Sequence, residues 1–317
     1  LLVLVTLYYF LKPSKAPIEI VDLIYYPIKS CGGIHVFEAE INERGIIRDR
    51  EWAIMKRPNI VVTQKVEARL FRLQPNFEYE DDIPKYMVLK YGDRPPCKVD
   101  LTQNSDFTPF EFDFHGAPGT AVEVSQHASE WIKETFQEEY FLAHIEGLRN
   151  CKQSSKPEIK DRVDQTESVN FQDMFHMLVC TEESYEEMLR HLPSYKVDDV
   201  CMLNMRPNIV VRNASTPFDE DFWENFTIGN LKFQGIGECS RCKLITVSPK
   251  TFEHDPNNEP NKTLQRIHGD EIKGYFGVWA QAKNAGRIKT KDQLIVKTRR
   301  ETSRLHRLAY KCFRLKK

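Results

Sequence analysis

The chain has 317 residues, with 45 Lys and Arg against 46 Asp and Glu, a formal net charge of -1, 41% hydrophobic residues and 29% charged residues. This composition excludes disordered, collagen-like, coiled-coil and multi-span membrane proteins, each of which needs a more extreme composition. Residues 297–317 carry nine Lys or Arg and one acid, which leaves -9 on residues 1–296, and this acidic body argues against nucleic-acid binding by the main domain.

The first residues, LLVLVTLYYFLK, are largely apolar, and no initiating Met precedes them. As a helix, about eleven such residues would reach about 17 Å, which is short of the roughly 30 Å hydrocarbon core of a bilayer. We expect residues 1–15 to be the inner end of a longer membrane anchor, because Lys12, Pro13 and Lys15 form a basic flank. A secretory signal, with a poor cleavage site in PSKAPIE, and a buried strand are the alternatives.

Short strands dominate the chain from Ile18 onward. The β-branched or aromatic runs of the first half are IEIVDLIYYPI, EWAIM, NIVVT, KYMVLKYG and TAVEVS. Those of the second half are FHMLVC, PNIVVR, FTIGNLKFQGIG, CKLITVS, GYFGVWAQ and QLIVKT. Gly, Pro and Asn clusters separate the runs, a spacing that favours a barrel or curved sheets over alternating β-α-β units.

Two helices are predicted within this β-rich pattern, and both should face the core. They begin after Ser125 and after Thr181, and their apolar positions are Ala128, Trp131, Ile132 and Phe136 in the first and Tyr185, Met188, Leu189 and Leu192 in the second. Between them, residues 150–170 (NCKQSSKPEIKDRVDQTESVN) are polar. We interpret them as a linker or loop that separates two halves of the chain.

The segment Glu238-Cys239-Ser240-Arg241-Cys242 concentrates the reactive chemistry. With eight cysteines, the chain is far from a disulfide scaffold, so we expect free thiols in a reducing compartment. Two cysteines three positions apart can bind zinc, act as a redox dithiol, supply one thiolate to another metal, or merely pack. Zinc would need two more ligands, and a thioredoxin-like dithiol would begin a helix, whereas KLITV after Cys242 predicts a strand.

Three other segments place cations beside strands: YPIKSCGG at residues 26–33, RDREW at 48–52 and MRPNIV at 205–210. The first is a Gly-rich turn whose N–H groups, hydroxyl and ammonium suit a phosphate. Taken singly, each segment is more commonly a solvated turn or a surface ion pair. Their occurrence together with the cysteine pair is less easily explained in this way.

These motifs, with NMRPNIVV and CSRCKLITV in this order and spacing, resemble the MOSC family of molybdenum cofactor-binding proteins, and within it the mitochondrial amidoxime-reducing components. The resemblance covers nearly the whole chain. It implies an α+β, β-rich fold: a MOSC-type β-barrel, an N-terminal β-barrel-like extension and a few flanking helices. The implied domains are 16–149 for the extension and 171–298 for the MOSC domain. The basic residues 299–317, a predicted amphipathic helix or a solvated tail, have no recognised counterpart.

The resemblance also implies a site. Cys242 would be the catalytic residue and the protein ligand of molybdenum, while Cys239 has no assigned role and should be a buried packing residue. The implied cofactor-binding residues are Lys29, Ser30, Arg50, Asp173, Arg206, Asn208, Ser240 and Arg241. We expect an exposed Arg50, whose loss would affect cofactor retention more than folding. His176 replaces a family proline and is either a surface or satisfied core side chain or an acid lining the site.

The implied activity is the molybdenum-dependent removal of oxygen from N-hydroxylated substrates such as amidoximes and hydroxylamines. Electrons would come from NADH through cytochrome b5 reductase and cytochrome b5. We expect a monomer anchored in the outer mitochondrial membrane and facing the cytosol. The alternatives are a non-catalytic MOSC scaffold and a cofactor-binding or sulfur-carrier protein like the end of molybdenum cofactor sulfurases. The pyridoxal phosphate domain that those sulfurases carry upstream would not fit in 317 residues.

Overall fold

The computed structural model describes residues 16–102, 107–147, 149–150, 168–270 and 272–300. The predicted anchor at 1–15, most of the predicted linker and residues 301–317 of the basic segment lie outside the described residues. Within the described ranges, no helix combines the length and the apolar character needed to cross a bilayer.

The described chain is built mainly from strands, with few helices. The strands are β1 (Ile18–Tyr25), β2 (Ile34–Val36), β3 (Glu38–Asn42), β4 (Gly45–Ile46), β5 (Trp52–Lys56), β6 (Ile60–Val61), β7 (Gln74–Glu80), β8 (Ile83–Tyr91), β9 (Arg94–Asp100), β10 (Phe110–Phe114), β11 (Ala117–Glu123), β12 (Tyr140–Ile145), β13 (Arg149–Asn150), β14 (Ser168–Val169), β15 (Met177–Thr181), β16 (Ile209–Arg212), β17 (Trp223–Ile228), β18 (Leu231–Ser240), β19 (Tyr275–Ala282), β20 (Gly286–Lys289) and β21 (Gln293–Arg299). The α-helices are α1 (Gln126–Phe136), α2 (Glu182–His191), α3 (Ser194–Val197), α4 (Met202–Met205) and α5 (Asn261–Ile267), and 3-10 helices cover Ala68–Arg72, Asp219–Phe222 and Lys243–Thr246.

Seven strands close into a barrel in the order β16-β15-β19-β18-β17-β21-β1, and β1 returns to β16. Strand β1 pairs with β21 at Ile18 and Leu294 and with β16 at Leu23 and Ile209. The pair β15–β16 is parallel, and β2 pairs antiparallel with β1. A barrel made mainly from the C-terminal half of the chain therefore takes one strand from the N-terminal half.

The remaining strands form a five-stranded sheet, β10-β11-β12-β5-β6, two three-stranded sheets, β7-β8-β9 and β20-β3-β4, and the pair β13–β14. The molecule also contains a second, nearly closed barrel. Closure and curvature of this kind reduce the number of exposed sheet edges. The predicted β-rich fold class is confirmed.

Both predicted helices are present, and each begins at a side-chain cap. The Ala128 N–H donates to Ser125 Oγ at 3.3 Å at the start of α1, and the Ser184 N–H donates to Thr181 Oγ1 at 3.1 Å at the start of α2. Such caps satisfy N–H groups that the first turn leaves without partners. Helix α1 buries all four of its predicted apolar positions, including Trp131.

The strand predicted for KLITV after Cys242 is wrong, because this segment forms the 3-10 helix Lys243–Thr246 with Cys242 as its N-cap. Side chains satisfy the backbone here in place of a neighbouring strand. Asn204 Nδ2 donates to the Ile245 carbonyl at 3.2 Å and to the Val247 carbonyl at 2.6 Å. Thr246 Oγ1 donates to the Lys243 carbonyl at 2.8 Å and closes the turn.

Candidate functional site

A cleft of 370 Å³ lies at the ends of several barrel strands and is bordered by turns from both halves of the chain. Its wall contains all nine residues predicted from the sequence: Lys29, Ser30, Arg50, Asp173, Arg206, Asn208, Ser240, Arg241 and Cys242. Residues separated by more than 200 positions therefore meet around one space. Their individual roles remain predictions.

Asp49 lies buried behind one wall of the cleft and is 0% exposed. Its Oδ1 accepts from the Tyr26 N–H at 2.8 Å and from Asn208 Nδ2 at 3.1 Å. Arg50 Nη1 donates to both carboxylate oxygens, at 2.7 and 2.6 Å. Because the Arg50 side chain is only 12% exposed, the expectation of an exposed Arg50 is wrong. Asp49 fixes this guanidinium at the cleft by a charge-assisted pair.

Asn208 is fully engaged inside the protein. Its Nδ2 donates to the Ile24 carbonyl and to Asp49, both at 3.1 Å, and its Oδ1 accepts from the Leu178 N–H at 3.2 Å and from Arg50 Nη1 at 3.1 Å. A side-chain amide has two N–H donors and two acceptor lone pairs, so these contacts use its capacity. This geometry favours a positioning role for Asn208 over the predicted direct contact with a cofactor.

Arg206 and Arg50 lie over the ring of Tyr26, with their Cζ atoms 4.1 and 4.3 Å from the ring centroid. Arg206 Nη1 donates to the Cys31 carbonyl at 2.8 Å, and its Nη2 is buried without a hydrogen-bond partner among the described residues. Burial, together with the nearby Arg50 charge, lowers the pKa of Arg206 to about 10. The two guanidinium groups are thus held close together against one aromatic ring. The Nη2 group of Arg206 can still donate a hydrogen bond to a bound acceptor.

Lys29 and Asp173 face each other at another wall of the cleft. Lys29 is 6% exposed, and its Nζ lies 4.6 Å from the ring centroid of Phe114. Burial lowers the pKa of Lys29 to about 8, although the Asp173 carboxylate opposes this change. Burial would raise the pKa of Asp173, but Lys29 and then His115 hold it well below its usual value. The pair is therefore ionised at neutral pH.

The two thiols of the Cys239–Cys242 segment have different environments. Arg241 Nη1 donates to Cys239 Sγ at 2.8 Å, and its Nη2 donates to the Met205 carbonyl at 2.9 Å. Cys239 is 7% exposed, which agrees with the predicted burial, and burial raises the pKa of its thiol. Cys242 is half-buried beside the cleft and is the more accessible thiol. Arg241 Nε, like Arg206 Nη2, is buried without a hydrogen-bond partner among the described residues.

His176 is a satisfied, buried side chain. It is 2% exposed, its Nε2 lies 2.9 Å from the Ser168 carbonyl oxygen, and burial lowers the pKa of its ring. It lines the cleft as a neutral group. This geometry supports the first of the two interpretations offered by the sequence.

Several cleft residues were not predicted from the sequence. They are Lys65, His115, Gln172, Met174, Phe175 and Lys273, among others. Gln172, Met174 and Phe175 are close neighbours of the predicted Asp173, whereas Lys65, His115 and Lys273 reach the cleft from loops whose position depends on the tertiary fold. With Lys65 and Lys273 added, the wall holds six Lys or Arg side chains and one carboxylate, that of Asp173. Such a wall is suited to binding an anion.

The described residues contain no group of three His, Cys, Asp or Glu side chains that could hold a metal ion. Cys242 is the more accessible of the two thiols that line the cleft, and guanidinium and ammonium groups line it as hydrogen-bond donors. This donor set fits a metal that arrives with an anionic organic ligand of its own.

Two family models match the chain. Residues 18–139 match the MOSC N-terminal beta barrel domain, and residues 166–295 match the MOSC domain. A protein named mitochondrial amidoxime reducing component 2 from Bos taurus is 29% identical over 289 residues, which cover 86% of this chain and 81% of that protein. Mitochondrial amidoxime-reducing component 1 from Mus musculus is 27% identical, covering 86% and 80%.

A second group of relatives is much longer than this chain. Molybdenum cofactor sulfurase from Homo sapiens is 26% identical over 282 residues, which cover 85% of this chain but 30% of the sulfurase. The chain therefore spans less than a third of that relative and most of the length of the amidoxime reducing components.

Proposed function

Because the chain belongs to the MOSC family, we propose that it binds molybdenum cofactor in the cleft and uses it to remove oxygen from N-hydroxylated substrates. The observation that carries this proposal is the meeting of Cys242 with Lys29, Arg50, Arg206 and Arg241 around one 370 Å³ space. The names of the amidoxime reducing relatives support the choice of reaction.

The residues present fit the cofactor. Its phosphate is anionic, and Arg206 Nη2 and Arg241 Nε are buried donors without a partner among the described residues. A buried donor left unsatisfied costs about 1–3 kcal/mol, so an acceptor bound in the cleft would recover that free energy. Arg forks suit oxygen pairs, and the Lys29 ammonium adds a compact charge.

Each group in the cleft has a distinct role in this proposal. Cys242 supplies one thiolate to the metal, since a soft sulfur donor from a half-buried position suits this metal type. Lys29, Arg50, Arg206 and Arg241 hold the phosphate and pterin end. Asp49 and Asn208 keep Arg50 in place, and Asp173 keeps Lys29 in place. When bound, the cofactor supplies two-electron oxygen-transfer chemistry.

The substrate side of the cleft is bordered by apolar groups. The rings of Phe175 and Trp279 are 5.1 Å apart, and both residues line the cleft together with Met174 and Leu244. These side chains exclude water from the reacting nitrogen and admit an aromatic or alkyl substituent. Two electrons and two protons then convert the N-hydroxyl group to N–H and release its oxygen as water.

We propose that NADH supplies the electrons through cytochrome b5 reductase and cytochrome b5, with the protein anchored at the outer mitochondrial membrane. The relatives named as mitochondrial components support this location. Contact with a redox partner of this kind is expected to be small, weak and sensitive to salt.

The test is a comparison of purified wild-type protein and Cys242→Ala for molybdenum content, pterin content and benzamidoxime reduction. Wild-type protein should hold about one molybdenum and one pterin per chain and turn over benzamidoxime when supplied with the cytochrome b5 system. Cys242→Ala should keep its fold and lose turnover. Wild-type protein without molybdenum or pterin would refute the proposal.

A cofactor carrier is the second candidate function. It is favoured by the 85% of this chain that aligns with a part of molybdenum cofactor sulfurase. Wild-type protein that holds the cofactor without turnover, and that passes it to a cofactor-free molybdenum enzyme, would support this carrier function over the reductase.

A further inference from the structure

Arg149 is a fully buried arginine behind the cleft, 0% exposed, in the strand β13. Its Nη1 donates to the carbonyl oxygens of Asn170 and Gln172 at 2.8 and 3.0 Å. Its Nη2 donates to the Phe114 carbonyl at 2.8 Å, and its Nε donates to the Ala117 carbonyl at 3.2 Å. One guanidinium therefore joins the β10–β11 turn to the segment 170–172.

The segment 170–172 in turn contacts the buried wall that carries Arg50. Asn170 Nδ2 and Gln172 Nε2 donate to the Asp49 carbonyl at 3.1 and 3.2 Å. The Phe171 N–H donates to the Arg50 carbonyl at 2.9 Å. The segment thus fixes the carbonyl groups of two successive residues, Asp49 and Arg50.

The same segment continues directly into Asp173, whose Oδ1 accepts from Lys29 Nζ at 2.7 Å. The β10–β11 turn held by Arg149 contributes His115, whose Nε2 lies 3.6 Å from the same Asp173 oxygen, and Phe114, which packs under the Lys29 ammonium. Two cations of the cleft, Lys29 and Arg50, therefore depend on backbone that Arg149 holds.

We propose that Arg149 is a positioning residue for the anion-binding end of the cleft, an inference that rests on the proposed cofactor site. Arg149 does not line the cleft, so it acts through the segment 170–173. A lysine at this position keeps the charge, but its compact ammonium cannot reach four carbonyls in the fork geometry of a guanidinium.

Gly119 provides the space for this side chain. A Cβ at position 119 would lie 2.6 Å from Arg149 Cγ and 2.9 Å from Phe112 Cζ, closer than real Cβ contacts. Gly119→Ala therefore displaces Arg149 without removing its guanidinium and gives a second, independent variant.

The experiment measures the rate of pterin release from the holoprotein. Arg149→Lys is compared with Arg300→Lys, because Arg300 also donates to three backbone carbonyls, those of Trp223, Gly235 and Ile236, and does not line the cleft. Arg149→Lys should release pterin about tenfold faster than wild type, which is the size of effect seen when residues that orient ligand-binding groups are replaced. Gly119→Ala should also release pterin faster than wild type. Arg300→Lys should lose thermal stability with release within about twofold of wild type.

A double-mutant cycle with Asp173→Asn separates positioning from general destabilisation. Because both residues act through one segment, the combined acceleration should fall well short of the product of the two single effects. The inference would be overturned if the two single effects on the release rate multiplied in the double mutant. Equal release rates of Arg149→Lys and Arg300→Lys would also overturn it. The same variants are compared for binding of inorganic phosphate to cofactor-free protein, so that the inference is decided even where wild-type protein holds no pterin. Unchanged phosphate affinity in Arg149→Lys would overturn it there.

Discussion

The Lys29 ammonium and the Asp173 carboxylate, 144 positions apart in the chain, meet at 2.7 Å and join the N-terminal and C-terminal halves across the cleft. Their exposures differ, since the Lys29 side chain is 7% exposed and that of Asp173 is 49% exposed. Burial lowers the pKa of the Lys29 ammonium, whereas Lys29 and His115 keep the pKa of the Asp173 carboxyl low.

This burial predicts a pH dependence of stability. Burial lowers the pKa of folded Lys29 from 10.5 to about 8, so between these values the unfolded chain binds a proton that the folded chain does not. Stability contributed by this group rises with pH in that window, by at most about 1.4 kcal/mol per pH unit. The stability of wild type relative to Lys29→Met should increase from about pH 8 to about pH 9.5 in denaturant titrations. The exposed Lys98→Met is the control, and a difference that stays constant with pH would contradict the prediction.

The two cysteines should respond differently to substitution. Cys242→Ala should abolish molybdenum retention and turnover, because it removes the proposed ligand. Cys239→Ala removes only the acceptor that Arg241 Nη1 reaches at 2.8 Å, so a loss within about tenfold is expected. Metal analysis and benzamidoxime turnover of both variants check this, with Cys239→Ser as the variant that keeps an acceptor for Arg241. Equal losses would show that the ligand is misassigned.

Arg50→Ala should destabilise the fold as well as the cofactor complex. The change leaves the Asp49 carboxylate, 0% exposed, without the guanidinium that covers both of its oxygens. Removing one partner of a buried pair costs about 3–5 kcal/mol. Arg48→Ala, two positions away, removes a partly exposed guanidinium 5.9 Å from the Phe77 ring and should cost about 1 kcal/mol or less. An Arg50→Ala protein with the unfolding midpoint of wild type would contradict the role of this pair.

A buried acid outside the cleft gives an opposite pH dependence. Glu220 is 0% exposed, and its Oε2 accepts from Ser184 Oγ at 2.8 Å and from Thr181 Oγ1 at 3.1 Å. Burial raises the pKa of Glu220 to about 7, so the folded chain binds more protons than the unfolded chain between 4.5 and about 7. Stability contributed by Glu220 therefore falls as pH rises through this window.

Glu220→Gln should accordingly gain stability relative to wild type between about pH 5 and about pH 8, as measured by thermal unfolding at matched ionic strength. The exposed Glu224→Gln should change by less than about 0.5 kcal/mol at every pH. A Glu220→Gln protein whose stability parallels that of wild type across this range would contradict the prediction.

Local sequence patterns correctly predicted the elements whose conformation is set by residues close together in the chain. Helix α1 follows from Ser125 as a cap and from apolar residues at helical spacing, and both features are in the sequence. The prediction for KLITV failed because β-branched residues indicate a strand in the absence of tertiary information. The side chain of Asn204, some 40 positions upstream, takes the carbonyls that a neighbouring strand would have used.

The functional site likewise contains residues that the sequence identified and residues that only the folded structure reveals. Sequence motifs and a family resemblance identified nine residues, and all nine line one cleft. The buried groups behind them were not identified, because Asp49 and Arg149 look like ordinary charged residues in the sequence. Their importance comes from contacts with partners such as Asn208, 159 positions away from Asp49. Burial, and hydrogen bonds between residues so far apart in sequence, are visible only in the folded structure.

The pairing of Ile18 with Leu294 is expected to delay closure of the barrel during synthesis. The two residues lie 276 positions apart, so β1 lacks β21 as a partner until the intervening chain has been synthesised. A chain that ended after β18 would lack the barrel strands β19 and β21. We therefore expect the protein to depend on chaperones while it is translated and to tolerate loss of β21 poorly.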